Sequence, residues 1–168
     1  MINRISRFSL IFILLILLQV LVFNNIRFSG YINPYVYIMF ILLLPVEIPS
    51  WLLLIISFGT GAVMDIFCGS PGMHTSATVL AGFVRPYALR IISPRDGYEP
   101  GADPSMFIYG LRWFLIYSSL IVLIHHTALF YLEVFRFADL FRTLLRVFMS
   151  SLFSITFILL LEYIRKGK

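Results

Sequence analysis

Residues 51–92 contain two long apolar runs and read WLLLIISFGTGAVMDIFCGSPGMHTSATVLAGFVRPYALRII. The runs cover about 51–67 and 74–92, and between them lies the segment 68–72, whose glycines, serine and proline are typical of a tight turn. Apolar runs of this length are typical of helices that cross a lipid bilayer. The stretch therefore predicts two antiparallel membrane helices joined by a short turn.

Further apolar runs extend this pattern in both directions along the chain. They cover approximately residues 8–23, 34–44, 107–132 and 144–164. With the central pair they predict an all-α polytopic membrane protein of about six transmembrane helices, in a single domain that covers residues 1–168. Run 8–23 follows two arginines and resembles the core of a signal peptide. It lacks a small-residue cleavage site, however, so we expect an uncleaved first span.

The second span is unusual because it is short. Asn33 is expected to be the N-cap of its helix and Pro34 the first helical residue. The helix would run to Leu44 and meet Pro45. As residues 34–47 rise only ~21 Å as a helix, short of the ~30 Å hydrocarbon core, we expect this span to be short, kinked at Pro45 or sheltered by its neighbours.

The composition excludes an ordinary soluble domain. Of the 168 residues 60% are hydrophobic and 12% are charged, with a mean hydropathy of +0.95, whereas soluble domains are about 45–50% apolar and about 25% charged. The formal net charge is +5. Because the basic residues cluster at the ends of apolar runs, this charge indicates orientation in a membrane and contact with lipid, not binding of nucleic acid. Cys68 is the only cysteine, so no intramolecular disulfide is possible.

The distribution of basic residues predicts that both termini are cytoplasmic. With six spans, one side of the membrane collects eight basic residues near span ends: Arg4, Arg7, Arg90, Arg95, Arg112, Arg165, Lys166 and Lys168. The other side collects four: Arg27, Arg136, Arg142 and Arg146. Cytoplasmic loops carry the excess of Lys and Arg, so this asymmetry predicts a multi-pass protein of the bacterial plasma (inner) membrane with both termini inside.

Two segments between the predicted spans differ from the rest. Residues 93–104 are polar and show no hydrophobic period, which predicts a loop. Residues 133–146 place Arg136, Asp139 and Arg142 on one side of a helical wheel and apolar side chains on the other. Two interpretations of 133–146 remain open: a helix on the membrane surface that then turns inward, or a charged loop followed by a frayed helix end.

Small and polar residues recur at i, i+4 and i+8 within three spans. These stripes are Ser57, Gly61 and Asp65; His74, Thr78 and Gly82; and Arg146, Ser150 and Ser154. The first two stripes lie on helices that run antiparallel across a tight turn, so they can face each other and bring Asp65 near His74. Helix packing and a functional pair that gates or binds a ligand both remain open as roles, and the third stripe is expected to face the bundle interior.

Each remaining ionisable residue within a span requires a partner or a function, because a charge at the centre of a membrane helix costs about 2.5–3.5 kcal/mol on insertion scales. Arg85 precedes Pro86 within the fourth span and must extend to headgroups or find a partner. In the fifth span His126 and Glu133 share a helix face, while His125 points about 100° away from His126. The two histidines are not expected to ligate one ion, so we predict interfacial hydrogen bonds and no metal or cofactor.

The sequence carries no catalytic signature. It lacks a glycine-rich phosphate loop with a lysine, a Gly-x-Ser-x-Gly elbow and a His-Glu-x-x-His motif. The predicted loops are also too short to form a site of their own. We therefore expect a protein that is not an enzyme.

The segment 59–74 resembles the MreD family, the rod-shape-determining membrane proteins of bacteria. The family pattern is a glycine-containing third span that ends in aspartate, a turn with glycine and proline, and a helix that opens near a histidine. The matching residues are Gly61, Asp65, Gly69, Pro71, Gly72 and His74. The span number, the size and the basic N-terminal segment are similar over nearly the whole chain, whereas the loop 93–104 and the His125-His126 pair are not family marks.

The resemblance implies a non-enzymatic scaffold of the cell-elongation (peptidoglycan synthesis) machinery, the elongasome, that maintains cell shape. It implies an MreC-like single-pass membrane protein as the partner and, indirectly, an MreB-like filament and RodA with its class B penicillin-binding protein. The family is also similar in fold to the S-components of energy-coupling-factor transporters. That similarity leaves an alternative function, the substrate-binding membrane subunit of a small-molecule, vitamin-type transporter.

Overall fold

The computed structural model of the protein describes residues 2–26, 32–134 and 140–166, and these form a helical bundle. The helices are α1 (Ile2–Leu21), α2 (Met39–Leu43), α3 (Ser50–Cys68), α4 (Met73–Ile91), α5 (Met106–Tyr109), α6 (Leu111–Val134) and α7 (Leu140–Lys166), with a 3-10 turn at Phe23–Asn25. Helix α4 packs between α3 and α6, and α6 packs against α7. Helix α1 lies at the periphery, where six of its apolar side chains are exposed: Ile5, Leu10, Ile13, Leu14, Leu17 and Leu21.

Four helical segments are long and apolar enough to cross a membrane. They are Arg4–Asn25, Ser50–Cys68, Leu111–Val134 and Leu140–Lys166. Exposed leucine, isoleucine and phenylalanine side chains cover their outer faces, which would be unfavourable in water but is ordinary in lipid. The prediction of a helical multi-pass membrane protein is therefore confirmed at this level.

The bundle has two ends, which the polar contacts define. At the loop end, Arg4 donates to the carbonyl oxygen of Gly101 at 2.7 Å, and the Ser105 hydroxyl donates to Glu162 at 2.7 Å. The starts of α1 and α6, the end of α7 and the loop 92–105 therefore meet there. At the hairpin end, the Asn24 amide lies 3.4 Å from the sulfur of Cys68, beside the turn between α3 and α4.

The loop 92–105 is held in place at this end of the bundle. The Tyr98 hydroxyl donates to the carbonyl of Leu89 at 2.7 Å, and its ring packs against Trp113. Burial raises the pKa of Tyr98 to about 12, so the hydroxyl keeps its proton at neutral pH and remains a donor. Asp103 contacts both Arg4 and Arg7. The prediction of a non-helical segment is confirmed, and its polar residues dock it onto α1 and α4.

The predicted fifth and sixth spans are close to the observed helices but differ at their starts. The fifth was expected from residue 107 without a break, whereas the chain turns at Gly110, with φ 87°, between α5 and α6. The positive φ explains the break, because a residue with a side chain rarely adopts it. The sixth span begins earlier than expected, at Leu140.

The structure describes only part of the segment 133–146, for which the sequence left two interpretations open. Residues 135–139, with Arg136 and Asp139, lie outside the described residues, as do Arg27 and Lys168. From Leu140 onward the chain forms α7 without interruption. Residues 140–146 are therefore continuous with the sixth span, and both interpretations of the segment remain predictions.

The second predicted span shows the largest difference between sequence and structure. The helix does not begin at Pro34, because residues 33–36 are non-helical, 37–38 form a turn, and α2 covers only Met39–Leu43. The expectation of shelter by neighbours is confirmed, since residues 36–44 are all buried. We call residues 33–44 the buried crossing segment, because Asn33 lies near the hairpin end and Leu44 near the loop end.

Side chains of other helices replace the hydrogen bonds that a helix would have supplied to this segment. Gln19 of α1 accepts from the backbone N–H groups of Val36 at 2.7 Å and Tyr37 at 3.3 Å, and donates to the carbonyl of Pro34 at 3.1 Å. From α7, Ser150 accepts from the N–H of Asn33 at 3.1 Å and Ser154 from that of Tyr35 at 2.9 Å. Non-helical backbone is tolerated at membrane depth only when protein satisfies it in this way.

The Gln19 amide is expected to be a major stabilising contact. Replacement of Gln19 by leucine removes the acceptor of two buried N–H groups, so we expect the free energy of unfolding to fall by about 1–3 kcal/mol. Unfolding of the purified protein in mixed micelles by a denaturing detergent measures this change. Thr156→Val is the control, because the exposed Thr156 hydroxyl bonds only to Leu152 of its own helix, and we expect a change within about 0.5 kcal/mol. Equal effects of the two substitutions would contradict the assignment.

Candidate functional site

Asp65, the aspartate of the motif, caps the start of α4. Its carboxylate accepts from the backbone N–H groups of Gly72 at 3.0 Å, His74 at 2.9 Å and Thr75 at 3.1 Å, and from the hydroxyls of Thr75 at 2.6 Å and Ser70 at 3.1 Å. The first N–H groups of a helix lack partners within it and carry partial positive charge. The Asp65 carboxylate at the end of α3 therefore accepts the free N–H groups at the beginning of α4 and neutralises the partial positive charge there.

The turn between the two helices uses residues suited to its geometry. Gly69 has φ 63° and Gly72 has φ 83°, and both lie in the left-handed region that favours glycine. The N–H of Gly69 bonds to the carbonyl of Asp65 and ends α3. Pro71 lies between the glycines at the exposed tip. These residues set the direction in which α4 returns along α3.

The predicted register of the hairpin is confirmed. The N–H of His74 bonds to Asp65, as the facing stripes require. A Cβ on Gly61 would lie 2.8 Å from the carbonyl oxygen of His74 and would clash with the Cα of Thr75. Gly82 lies equally close to Ser57, since a Cβ there would be 3.0 Å from that of Ser57. The small residues thus allow the two backbones to approach closely.

His74, His125 and the buried crossing segment meet at one hydroxyl group. The oxygen of Tyr37 lies 2.7 Å from Nε2 of His125, 3.1 Å from Nδ1 of His74 and 3.0 Å from the Thr78 hydroxyl. All four side chains are buried, and the Tyr35 ring covers the histidines with centroids 5.1 Å from His74 and 5.6 Å from His126. The structure therefore brings together histidines that are distant in sequence.

His126 links a different set of elements. Its Nδ1 lies 2.9 Å from the carbonyl oxygen of Val122, which can only accept, so Nδ1 carries a proton. Its Nε2 then accepts from the Ser154 hydroxyl at 3.0 Å, and Ser154 in turn accepts from the N–H of Tyr35. A neutral His126 thus joins α6 to α7 and to the buried crossing segment.

His125 fits the same neutral arrangement. Its Nδ1 lies 3.4 Å from Nδ1 of His126, whose one proton is donated to Val122, and its Nε2 lies 2.7 Å from the Tyr37 hydroxyl, to which it can donate. Tyr37 keeps its own proton for Thr78 or His74. Because the contacts of Tyr37 with His125, His74 and Thr78 can form without a charged imidazole, the network suits an apolar interior.

Arg85 is fully buried and pairs instead of extending to the membrane surface. Its Nε donates to the Tyr117 hydroxyl at 2.7 Å, and its terminal nitrogens donate to the carbonyl oxygens of Leu44 and Pro45. Tyr117 donates in turn to the carbonyl of Leu42 at 3.1 Å. The guanidinium therefore supplies hydrogen-bond donors to the carbonyl groups just after α2, because the last carbonyl groups of a helix lack partners and carry partial negative charge.

Glu133 does not join the histidines, although it shares a helix face with His126 in the sequence. It lies at the hairpin end and forms an ion pair with Arg146, with 3.0 Å between nitrogen and oxygen. Arg146 also lies over the Phe130 ring at 4.3 Å. Of its stripe on α7, Ser150 and Ser154 face the interior as expected. Within residues 2–26, 32–134 and 140–166 no group of three His, Cys, Asp or Glu side chains could hold a metal ion.

Sequence reasoning missed several residues of this interior. Tyr37 and Tyr117 lie in apolar runs, where nothing in the sequence distinguishes them from other apolar residues. Gln19 is visible in the sequence only as a polar residue within the first span. A glutamine in an otherwise apolar membrane helix was the available signal, because an amide in lipid needs a partner. Glu162 carried the same signal, and it is buried between Ser105 and Arg165.

A lateral groove is the principal cavity of interest in this bundle. It lies between α1 and α3, with the end of the buried crossing segment and residues 45–49 as its floor, and its volume is about 1020 Å³. Phe8, Phe12, Phe40, Leu52 and Ile56 line it, with Gly59 on the α3 wall. Its lining is mostly apolar and open to the side, which suits an occupant from the membrane. We call it the α1/α3 groove.

Comparisons of the chain with protein-family models, with curated proteins and with solved structures found no match. Functional inference therefore depends on the residues themselves and on the resemblance of the hairpin motif.

The close approach of α3 and α4 generates a prediction with a built-in control. In Gly61→Ala the added methyl group meets the backbone of α4, so we expect the free energy of unfolding to fall by about 1–3 kcal/mol. In Gly59→Ala, two residues away on the same helix, the methyl group meets nothing within 4 Å. Stability there should be unchanged or rise by up to about 1 kcal/mol. Detergent unfolding measures both, and equal stability of the two variants would show that the helices do not pack this closely.

Proposed function

We propose that this protein is a non-enzymatic scaffold of the bacterial cell-elongation machinery, which binds an MreC-like membrane protein through its membrane helices and so helps to maintain cell shape. The MreB-like filament and RodA with its class B penicillin-binding protein are then indirect partners. The proposal rests on the resemblance of residues 59–74 to the MreD family and on what those residues do in the bundle.

The observation that carries the proposal is the use of the motif in the α3–α4 hairpin. The Asp65 carboxylate is occupied by the first N–H groups of α4, and Gly61 lies against the backbone of Thr75. These residues build a close-packed pair of membrane helices, and the carboxylate of the motif is used in capping α4. An architectural motif of this kind supports a role in binding and positioning partners.

The form of the α1/α3 groove favours a scaffold over a vitamin-type transport subunit. A site for a small polar molecule needs an enclosed pocket with a few converging polar groups. The groove instead opens to the side and is lined mainly by phenylalanine, leucine, isoleucine and proline. The buried polar groups of Tyr37, His125 and His126 are bonded to one another and to the backbone. They support the bundle and are not free to bind a ligand.

We further propose that the chain crosses the membrane six times. Besides the four long apolar segments, α4 and the buried crossing segment connect the two ends of the bundle. Helix α4 contains Arg85 and Arg90 but is covered by α3 and α6. Residues 33–36 extended by ~3.3 Å each, and the turn and helix 37–43 rising ~1.5 Å per residue, span at most ~24 Å, so this segment crosses most of the ~30 Å hydrocarbon core.

Six crossings leave both ends of the chain on one side, and the basic asymmetry makes that side the cytoplasm. Arg4 and Glu162 both contact the loop 101–105, which supports the placement of α1's start and α7's end together. A green fluorescent protein fused after Lys168 is expected to fluoresce, and alkaline phosphatase fused there to be inactive. Fusions within the 69–72 turn should give the opposite result. An active phosphatase after Lys168 would exclude this topology.

Depletion of the protein in its own host tests the scaffold function. We expect rounded, swelling cells that no added nutrient rescues, and loss of the MreC-like protein from preparations of the wall-synthesis machinery. Complementation with Gly59→Ala should restore rod shape, whereas Gly61→Leu, which forces α3 and α4 apart, should not. Immunoblots of the membrane fraction control for expression. Normal shape after depletion, or recovery on feeding a vitamin, would contradict the scaffold and favour the transport subunit.

A further inference from the structure

The α1/α3 groove continues into a second cavity at the loop end. This cavity has a volume of about 420 Å³ and is lined by Arg4, Arg7, Gly101 and Asp103. Arg4 and Gly101 line the groove as well. The two cavities therefore form one amphipathic site, with an apolar part at the depth of the helices and a charged part where α1 begins.

The charged part of this site has more cationic than anionic groups. The side chains of Arg4 and Arg7 are each 46% exposed and share the single carboxylate of Asp103. Glu47 lines the groove and accepts from the N–H of Gly101 at 3.3 Å. The second cavity itself is lined by two guanidinium groups and one carboxylate, which leaves one positive charge in the charged part of the site.

We propose that this site binds one anionic phospholipid from the surrounding leaflet. Arg4 and Arg7 hold its headgroup phosphate, because a guanidinium presents parallel N–H groups that match phosphate oxygens. The acyl chains lie in the apolar groove against Phe8, Phe12 and Phe40. The beginning of a membrane helix is at headgroup depth, so the charges and the groove are at the correct levels for a lipid.

The size of the groove favours acyl chains over a partner helix. A transmembrane helix is a cylinder about 10 Å wide and 30 Å long and occupies about 2,400 Å³, more than twice the groove volume of about 1020 Å³. The groove therefore could not enclose a partner helix, which would fill it with only part of its volume. Flexible hydrocarbon chains can follow the irregular floor formed by Phe40, Leu44 and Pro45.

Gly59 offers a way to block the groove without disturbing the fold. It lines the α3 wall, and a Cβ built on it has no atom within 4 Å. A leucine there extends into the space that the acyl chains would occupy. Ser76→Leu is the matched control, because Ser76 lies on an exposed face of α4 and outside the groove lining.

The experiment is a titration of the purified full-length chain in detergent with dioleoyl phosphatidylglycerol, followed by native mass spectrometry. We expect one saturable lipid, bound at least about tenfold more tightly than dioleoyl phosphatidylcholine, because the choline ammonium cancels the phosphate charge and is repelled by the two arginines. Arg4→Gln/Arg7→Gln should reduce this preference, whereas Arg90→Gln/Arg112→Gln removes the same charge from exposed positions outside the site and should not. Inorganic phosphate in excess should not displace the lipid, because it lacks the acyl chains.

Gly59→Leu gives an independent result if the arginine variant fails to fold. It should weaken binding of both lipids about tenfold, while Ser76→Leu leaves both unchanged. Equal binding of the two lipids by the unaltered chain, or unchanged binding in Gly59→Leu, would overturn the proposal. Loss of the MreC-like partner from Gly59→Leu with lipid binding intact would show instead that a partner helix uses the groove.

Discussion

A non-helical stretch of backbone lies inside this bundle, and the need to satisfy its hydrogen bonds shapes the rest of the interior. Residues 33–36 do not form a helix, and the neighbouring helices supply the acceptors for their backbone N–H groups. Gln19 of α1 and two serines of α7 serve the first half of the segment, and Arg85 with Tyr117 serves the carbonyls at its end. The polar residues that interrupt the apolar runs are thus explained mainly by this one constraint.

The same constraint orients the histidines. Tyr37 is carried by the buried crossing segment, and its hydroxyl is the point where α4 and α6 meet. His126 reaches α7 through the serine that also receives the N–H of Tyr35. A cluster of three histidines and two tyrosines could suggest catalysis or metal binding. Here the hydrogen bonds of the cluster hold the buried crossing segment between α4, α6 and α7. This is a structural role, which is consistent with the proposed scaffold.

The α3–α4 hairpin and the peripheral position of α1 give the molecule its two contrasting halves. Asp65, Gly61 and Gly82 lock α3 to α4 at short range. Helix α1, in contrast, packs Phe12 and Leu15 against the buried crossing segment, bonds to it through Gln19 and to the loop 101–103 through Arg4, and borders the α1/α3 groove. We propose that the close-packed half presents a surface to a protein partner, whereas the groove beside α1 is the part that faces lipid.

The sequence by itself determined the membrane class, the hairpin and the contact of Asp65 with the start of α4, because periodicity, turn glycines and the cost of a charge in lipid are local properties. Only the tertiary structure decided that the run 34–44 forms five helical residues and not a full span. An isolated sequence of this composition favours a helix, since a helix satisfies its own backbone. The extended form is possible only because Gln19, Ser150 and Ser154, on helices far apart in the chain, accept hydrogen bonds from its backbone. A local sequence pattern cannot predict that these three side chains meet.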